Sequence, residues 1–132
     1  MTKQNEIYKC DVCGNIVEVL HIGAGELVCC GQPMGLAIEK TEDDGQEKHV
    51  PVISELESNA QEGKGGVIVK VGEVEHPMSE DHFIEWIEII VEDNKRGKKF
   101  LKPGDKPEVE FYTSKKVMGV RAYCNIHGLW GC

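Results

Sequence analysis

The sequence has no long apolar run, few aromatic residues and fewer basic than acidic residues. No segment approaches the roughly 20 consecutive apolar residues that a membrane-spanning helix needs, so no transmembrane segment is expected. Lysine and arginine total 15 against 23 acidic residues, which leaves a net charge of -8. Phosphate binding needs a basic face, so this balance argues against a nucleic-acid-binding protein. Aromatic residues make up only 6% of the 132 residues, and a small chain with so thin a core is expected to need additional stabilisation.

The amino-terminal residues also lack the pattern of an export signal. Residues 1–6 carry no apolar stretch behind a positive start, so no secretory signal is predicted. We therefore expect a cytoplasmic protein, in a compartment that keeps thiols reduced.

Six cysteines and five histidines are the most informative part of the composition. Three disulfides in a small secreted protein are one interpretation of six cysteines. Metal ligation is favoured, because four of the cysteines fall into two short motifs and several histidines lie close to cysteine or proline. The missing export signal points the same way.

The distribution of these residues predicts two domains, 1–40 and 41–132. Residues 1–40 hold four cysteines in short strand-like segments separated by glycines. They contain too little apolar material for an independent core, so a metal is expected to supply part of their stability. Residues 41–48 are polar and read as a linker into the second domain.

The second domain is predicted to be all β. Short apolar or alternating runs predict strands at 67–71, 83–91, 109–113 and 117–123, and turns are predicted at 93–97 and 103–105. About seven short strands separated by turns indicate an immunoglobulin-like antiparallel β-sandwich. No helix of two or more turns is predicted, so the whole chain is expected to be mostly β.

The first group of candidate metal ligands is Cys10-x-x-Cys13 together with the adjacent pair Cys29-Cys30. Four thiolates form a closed tetrahedral site that suits iron or zinc, and the spacing leaves both metals open. Two adjacent cysteines reach one ion only if the chain bends sharply between them, so a distorted tetrahedron is expected. A thioredoxin-like redox pair is less favoured, since no βαβ pattern surrounds Cys10.

The second group is His49, His76, His82, Cys124 and His127, each at a predicted strand end or loop. Separate segments can converge on one ion at such positions. Five protein ligands leave one position open on an octahedral ion, which suggests an iron that reacts with a small ligand. A ferrous ion with four neutral imidazoles and one thiolate keeps a net positive charge, which attracts a small anion.

Taken together, these motifs closely resemble those of the desulfoferrodoxin family of two-iron superoxide reductases. They occur in the same order and over essentially the whole chain. The resemblance implies a four-cysteine iron centre in a small desulforedoxin-like domain, bound by Cys10, Cys13, Cys29 and Cys30. It also implies a second iron on the immunoglobulin-like domain, with four equatorial histidines and an axial Cys124. The motifs that carry the resemblance are Cys10-x-x-Cys13, Cys29-Cys30, Glu47-Lys48-His49-Val50-Pro51-Val52, His76-Pro77-Met78, His82 and Cys124-Asn125-Ile126-His127-Gly128-Leu129-Trp130.

The activity implied by the resemblance is superoxide reduction, in which superoxide, two protons and one electron give hydrogen peroxide. The family resemblance also implies re-reduction by a rubredoxin-like donor and a homodimer. Lys48 is the candidate for guiding the anion and the water that supplies protons, because its ammonium group is a mobile point charge beside a ligand histidine. Glu47 is the candidate carboxylate ligand of the oxidised iron.

Two other functions remain open from the residues. Both irons could serve an electron carrier without superoxide chemistry, or zinc could stabilise a binding module. His21 is predicted to be solvated, and Cys132 belongs to neither ligand set. We expect Cys132 to be a free terminal thiol, with crosslinking as the alternative.

Overall fold

The structure of the protein, a computed structural model, describes residues 1–42, 49–56 and 65–132. These residues form two compact units, Met1–Ile38 and Glu39–Cys132. Strands and turns account for the regular structure of the described residues, and their one helical element is a short 3-10 turn at Glu92–Asn94. The prediction of a mostly β protein is confirmed. No helix among the described residues is long and apolar enough to cross a membrane.

The first unit is built from very short strands around a few buried residues. Its strands are β1 (Ile7–Lys9), β2 (Ile16–Glu18), β3 (Val28–Cys29), β4 (Gln32–Pro33) and β5 (Gly35–Leu36). A three-stranded antiparallel sheet has the order β2-β1-β5, and a separate hairpin pairs β3 with β4. The buried apolar side chains of this unit are Ile7, Cys10 and Val19.

The second unit is a sandwich of two antiparallel sheets, as the sequence predicts. Its strands among the described residues are β6 (Pro51–Leu56), β7 (Gly66–Val71), β8 (Ile84–Val91), β9 (Lys95–Phe100), β10 (Glu108–Tyr112), β11 (Val117–Cys124) and β12 (Gly128–Gly131). One sheet has the order β10-β7-β6 and the other β12-β11-β8-β9.

The core of this unit lies between the two sheets. Val67, Val69 and Val71 of β7 alternate with less buried residues and contribute one side of the core. The central strand β8 contributes the other side, with Ile87 fully buried. Apolar side chains on both facing sheet surfaces exclude water, and this burial is the main stabilising contribution.

Three strands of the second unit were not predicted, namely β6, β9 and β12. The predicted turn over 93–97 is wrong from Lys95 onwards, because Lys95 already pairs with Val91 in the ladder of β9 with β8. The chain reverses at Glu92–Asn94 instead, where Asp93 and Asn94 have positive φ angles of 66° and 55°. The charged composition of β9 resembles a loop, but lysine is well tolerated on an edge strand.

Candidate metal centres

The four cysteines of the first unit form one compact cluster. The Sγ atoms of Cys13 and Cys29 are 3.6 Å apart, and those of Cys29 and Cys30 are 4.0 Å apart. All four sulfur atoms, including that of Cys10, lie within 4.8 Å of one another. A tetrahedral ion with metal–sulfur bonds of about 2.3 Å places its sulfur atoms about 3.8 Å apart. The cluster therefore has the size of a four-thiolate metal centre.

The local backbone explains how adjacent cysteines can share one ion. Cys30 has a φ of 51° and Gly31 a φ of 77°, so the chain turns back immediately after Cys29. A left-handed conformation is unfavourable for a residue with a Cβ atom. The sharp bend expected at the Cys29-Cys30 pair is therefore present, and glycine supplies its second half at low cost.

The sulfur atoms differ strongly in their affinity for protons. Backbone N–H groups of Cys13 and Val12 lower the pKa of the Cys10 thiol to about 7. Interactions with Cys13 and Cys10 raise the pKa of the Cys30 thiol to about 12. Four thiolates this close repel one another, so a cation is required to hold all four in the deprotonated form.

The second group of donors converges because their strands end at the same end of the sandwich. His49 precedes β6, whose first residue pairs with the last residue of β7, and His76 follows β7. His82 precedes β8, whose first residue pairs with Cys124 at the end of β11. The turn between β11 and β12 carries His127.

The four imidazole rings form a nearly square array. Their centroids are separated by 4.6 Å (His49–His76), 4.7 Å (His76–His82), 5.0 Å (His82–His127) and 4.7 Å (His127–His49). The diagonal between His49 and His82 is 6.3 Å. Adjacent rings are inclined by 68–82° to one another.

The donor atoms of His49, His76, His82 and Cys124 form one group that could hold a metal ion, and His127 adjoins this group without belonging to it. His127 Nδ1 lies 3.0 Å from His49 Nε2, which matches adjacent corners of a square with metal–nitrogen bonds of about 2.1 Å. Cys124 Sγ lies 3.8 Å from His127 Nδ1. Donor atoms of His49, His76, His82 and Cys124 all lie within 4.8 Å of one another.

Contacts outside the donor set orient these ligands. His76 Nδ1 lies 2.7 Å from the carbonyl oxygen of Pro77, so the proton belongs on Nδ1 and the lone pair on the buried Nε2 atom. A hydrogen bond on the far nitrogen is the usual way in which a protein fixes the tautomer of a ligand histidine. The backbone N–H of His127 donates to Cys124 Sγ over 3.4 Å, which favours the thiolate.

Two residues outside the donor set hold the turn that carries His127. Lys40 Nζ and Trp130 Nε1 both donate to the carbonyl oxygen of His127, over 2.9 and 3.1 Å. The indole of Trp130 also stacks on the imidazole of His49, with centroids 4.6 Å apart. Lys40 gave no signal in the sequence, because it acts on a main-chain atom 87 residues away.

The other predicted site residues are placed as follows. Glu47 and Lys48 lie outside the described residues. Cys132 is exposed and outside both donor sets, and His21 is exposed, as predicted for each.

Comparison with protein families gives two matches that together cover nearly the whole chain. The family described as Desulfoferrodoxin matches residues 41–132, and the one described as Desulfoferrodoxin, N-terminal domain, matches residues 2–37. The chain is 58% identical over 130 residues to a protein named desulfoferrodoxin homolog from Archaeoglobus fulgidus, with 98% of each chain covered.

Solved structures share the fold. The superoxide reductase from Treponema pallidum superposes with a TM-score of 0.75 over 96% of each chain, at 24% identity. The superoxide reductase (neelaredoxin) from Archaeoglobus fulgidus superposes with a TM-score of 0.59 at 29% identity, over 71% of this chain and 94% of that one. Both donor sets fit iron, and domains of these families bind two iron centres.

Proposed function

The chain belongs to the desulfoferrodoxin family, and from this premise we propose that it is a superoxide reductase. The observation that carries the proposal is the square of four imidazoles with Cys124 beside it. A ferrous ion bound there supplies the one electron that converts superoxide, with two protons, into hydrogen peroxide. No oxygen is formed, unlike in dismutation.

The side chains of the second unit have different roles in the proposed reaction. Cys124 is fully buried in the core, whereas His127 is exposed, which supports access for a small anion from the side away from the thiolate. Four neutral imidazoles add no negative charge, so the site keeps a positive field although the chain carries -8. A local positive field attracts superoxide more effectively than the net charge repels it.

Lys48 and Glu47 complete the proposed site. Next to the ligand His49 in sequence, the Lys48 ammonium group would attract superoxide and hold the water that donates protons. The Glu47 carboxylate would occupy the open position after oxidation. Glu47→Ala is expected to alter the visible absorption of the oxidised protein and to leave the rate of the first encounter with superoxide nearly unchanged. An oxidised spectrum identical to that of the parent would remove this role.

The proposal is tested by mixing the reduced protein anaerobically with superoxide while following iron oxidation and peroxide. A superoxide reductase gives a fast second-order oxidation and one peroxide for each superoxide consumed. Oxygen release with only half that peroxide would indicate dismutation. The matched control is the Cys124→Ser protein, which keeps the first centre.

An electron carrier is the second candidate, and one observation favours it. Cys13 and Cys30 of the first cluster are exposed, as expected for a centre that exchanges electrons with a partner protein. A pure carrier would show neither fast oxidation by superoxide nor stoichiometric peroxide.

We propose that residues 1–40 and 41–132 act as separate iron domains of one cytoplasmic enzyme. A rubredoxin-like protein would supply the electron. Exposed apolar side chains on the first unit, including Leu20, Val28 and Ile38, support a homodimer, because burying them against a second copy would remove apolar surface from water. Analytical ultracentrifugation tests this; a monomer at micromolar concentration would contradict it.

A further inference from the structure

The segment 95–102 is strongly basic in an acidic protein. It contains five of the fifteen basic residues and no acidic residue. Most of it forms β9, an edge strand of the four-stranded sheet. A basic strip of this kind attracts a partner whose contact surface is acidic, and it does so selectively because the rest of the chain repels that partner.

A row of aromatic side chains crosses the outer face of the same sheet. Phe100 pairs with Trp86, and Trp86 pairs with Tyr123, in successive strand ladders. The rings of Trp86 and Tyr123 are stacked, 4.5 Å apart and inclined by only 6°, and Phe100 lies 6.2 Å from Trp86. Phe100 is 74% exposed, whereas Trp86 and Tyr123 are buried. The row therefore leads from the surface to Tyr123, which is joined to Cys124 by a peptide bond.

The next row of the same face carries fixed positive charge. Arg121 Nε lies 2.5 Å from a Glu88 carboxylate oxygen, and Arg96 and Lys98 lie 3.3 and 3.8 Å from that carboxylate. Three cations therefore surround one buried acid. Lys98 Nζ also lies 5.2 Å from the centre of the Trp86 ring, so the charge stands directly beside the aromatic row.

Protection of an edge strand against aggregation would account for the lysines alone. It does not account for a large exposed aromatic ring among them. It also leaves unexplained the Trp86 indole N–H, which is buried without an acceptor among the described residues. An unpaired buried donor reduces stability, so Trp86 is poorly explained as a packing residue.

We propose that the outer face around Arg96, Lys98 and Phe100 docks an acidic one-electron carrier protein, whose electron reaches Cys124 through the Trp86–Tyr123 stack. This rests on the proposed function, since turnover requires one external electron for each superoxide. The reduced centre of the carrier loses one electron and the ferric ion gains it. No group is transferred and no bond between the proteins is formed. A small, charged and transient contact is usual for electron-transfer partners.

Docking is tested with an acidic rubredoxin as the probe. Carbodiimide joins carboxylates to nearby amines, and cross-linked peptides are expected to contain lysines of segment 95–102. The double variant Arg96→Gln, Lys98→Gln should raise the dissociation constant of the complex with rubredoxin about five- to tenfold at low salt. The matched control is Lys115→Gln with Lys116→Gln, two exposed lysines outside this face, which should bind as the parent does. Cross-links confined to other lysines would contradict docking at this face. Equal affinity of the two double variants for rubredoxin would contradict it as well.

The electron path is tested by reducing the ferric protein at saturating rubredoxin, without superoxide. Dithionite is a small reductant that needs no docking, so its rate serves as the reference. Trp86→Leu should lower the ratio of the rubredoxin rate to the dithionite rate severalfold. Trp86→Phe, which keeps a ring at this position, should restore most of it. Thermal melting and iron content show whether each variant is folded and loaded. If the ratio of the rubredoxin rate to the dithionite rate in Trp86→Leu equals that of the parent, the proposed electron path is wrong. Failure of the proposed function would appear separately, as missing peroxide with normal reduction by rubredoxin.

Discussion

Individual residues outside the donor sets decide how firmly the second centre is held. Lys40 and Trp130 fix the carbonyl group of His127, and the Trp130 ring covers His49. Two ligands from distant parts of the chain therefore depend on one small group of contacts. Such contacts orient ligands before the metal binds, which reduces the conformational entropy lost on binding.

Lys40→Met is expected to weaken iron binding at this centre without removing a ligand. Loss of an orienting contact costs about tenfold in metal affinity. Competition with a chelator, followed through the absorption of the thiolate-bound iron, measures the change. Lys115→Met is the control for loss of one positive charge, and an affinity equal to that of the parent in Lys40→Met would contradict the expectation.

Lys48→Ile is expected to slow the encounter with superoxide, because one attractive charge is removed beside His49. The effect should reach up to about tenfold at low ionic strength and should diminish as salt screens the remaining field. Pulse radiolysis at several salt concentrations gives both quantities. A parental rate with a parental salt dependence would eliminate steering by this residue.

At the scale of elements, the strands show what the sequence could and could not predict. The Val67–Val71 segment alternates buried and less buried residues, so its pattern alone identified it. The lysine-rich β9 and the glycine-flanked β12 owe their strand conformation to pairing with β8 and β11, and a local pattern does not contain that information. The candidate metal ligands were chosen from residue type, from the cysteine spacing and from positions at predicted strand ends or loops, whereas the contact of Lys40 with a main-chain atom leaves no such trace in the sequence.

The central strand β8 is expected to dominate the stability of the second unit. Ile87→Ala removes a fully buried side chain between the sheets and should lower the free energy of unfolding by about 2–5 kcal/mol. The side chain of Ile53 on β6 is 37% exposed, so Ile53→Ala should lower the free energy of unfolding by clearly less. Denaturant titration followed by tryptophan fluorescence compares them, and equal losses would show that the core is placed wrongly.

At the scale of the whole molecule, the two units depend on metal to different degrees. The first unit buries only a few apolar side chains, whereas the second has a continuous core between two sheets. Metal binding and folding are therefore expected to be closely coupled in the first unit and weakly coupled in the second.

Removal of both metals should unfold the first unit and leave the sandwich folded. Hydrogen exchange of the metal-free protein, read by mass spectrometry, should show rapid exchange across β1, β2 and β5. Amides of β8 and β11 should keep slow exchange apart from the ends that carry ligands. Slow exchange throughout Met1–Ile38 would contradict the assigned role of the metal in folding.

Four histidines and one cysteine of the second unit are expected to bind one iron ion. Iron K-edge X-ray absorption tests it most directly in a Cys13→Ala, Cys30→Ala protein, where only this centre remains loaded. We expect one iron per chain with four nitrogen neighbours and one sulfur neighbour, and loss of the sulfur neighbour in the additional Cys124→Ser variant. A sulfur-free shell in the double variant, or a shell that Cys124→Ser leaves unchanged, would contradict it.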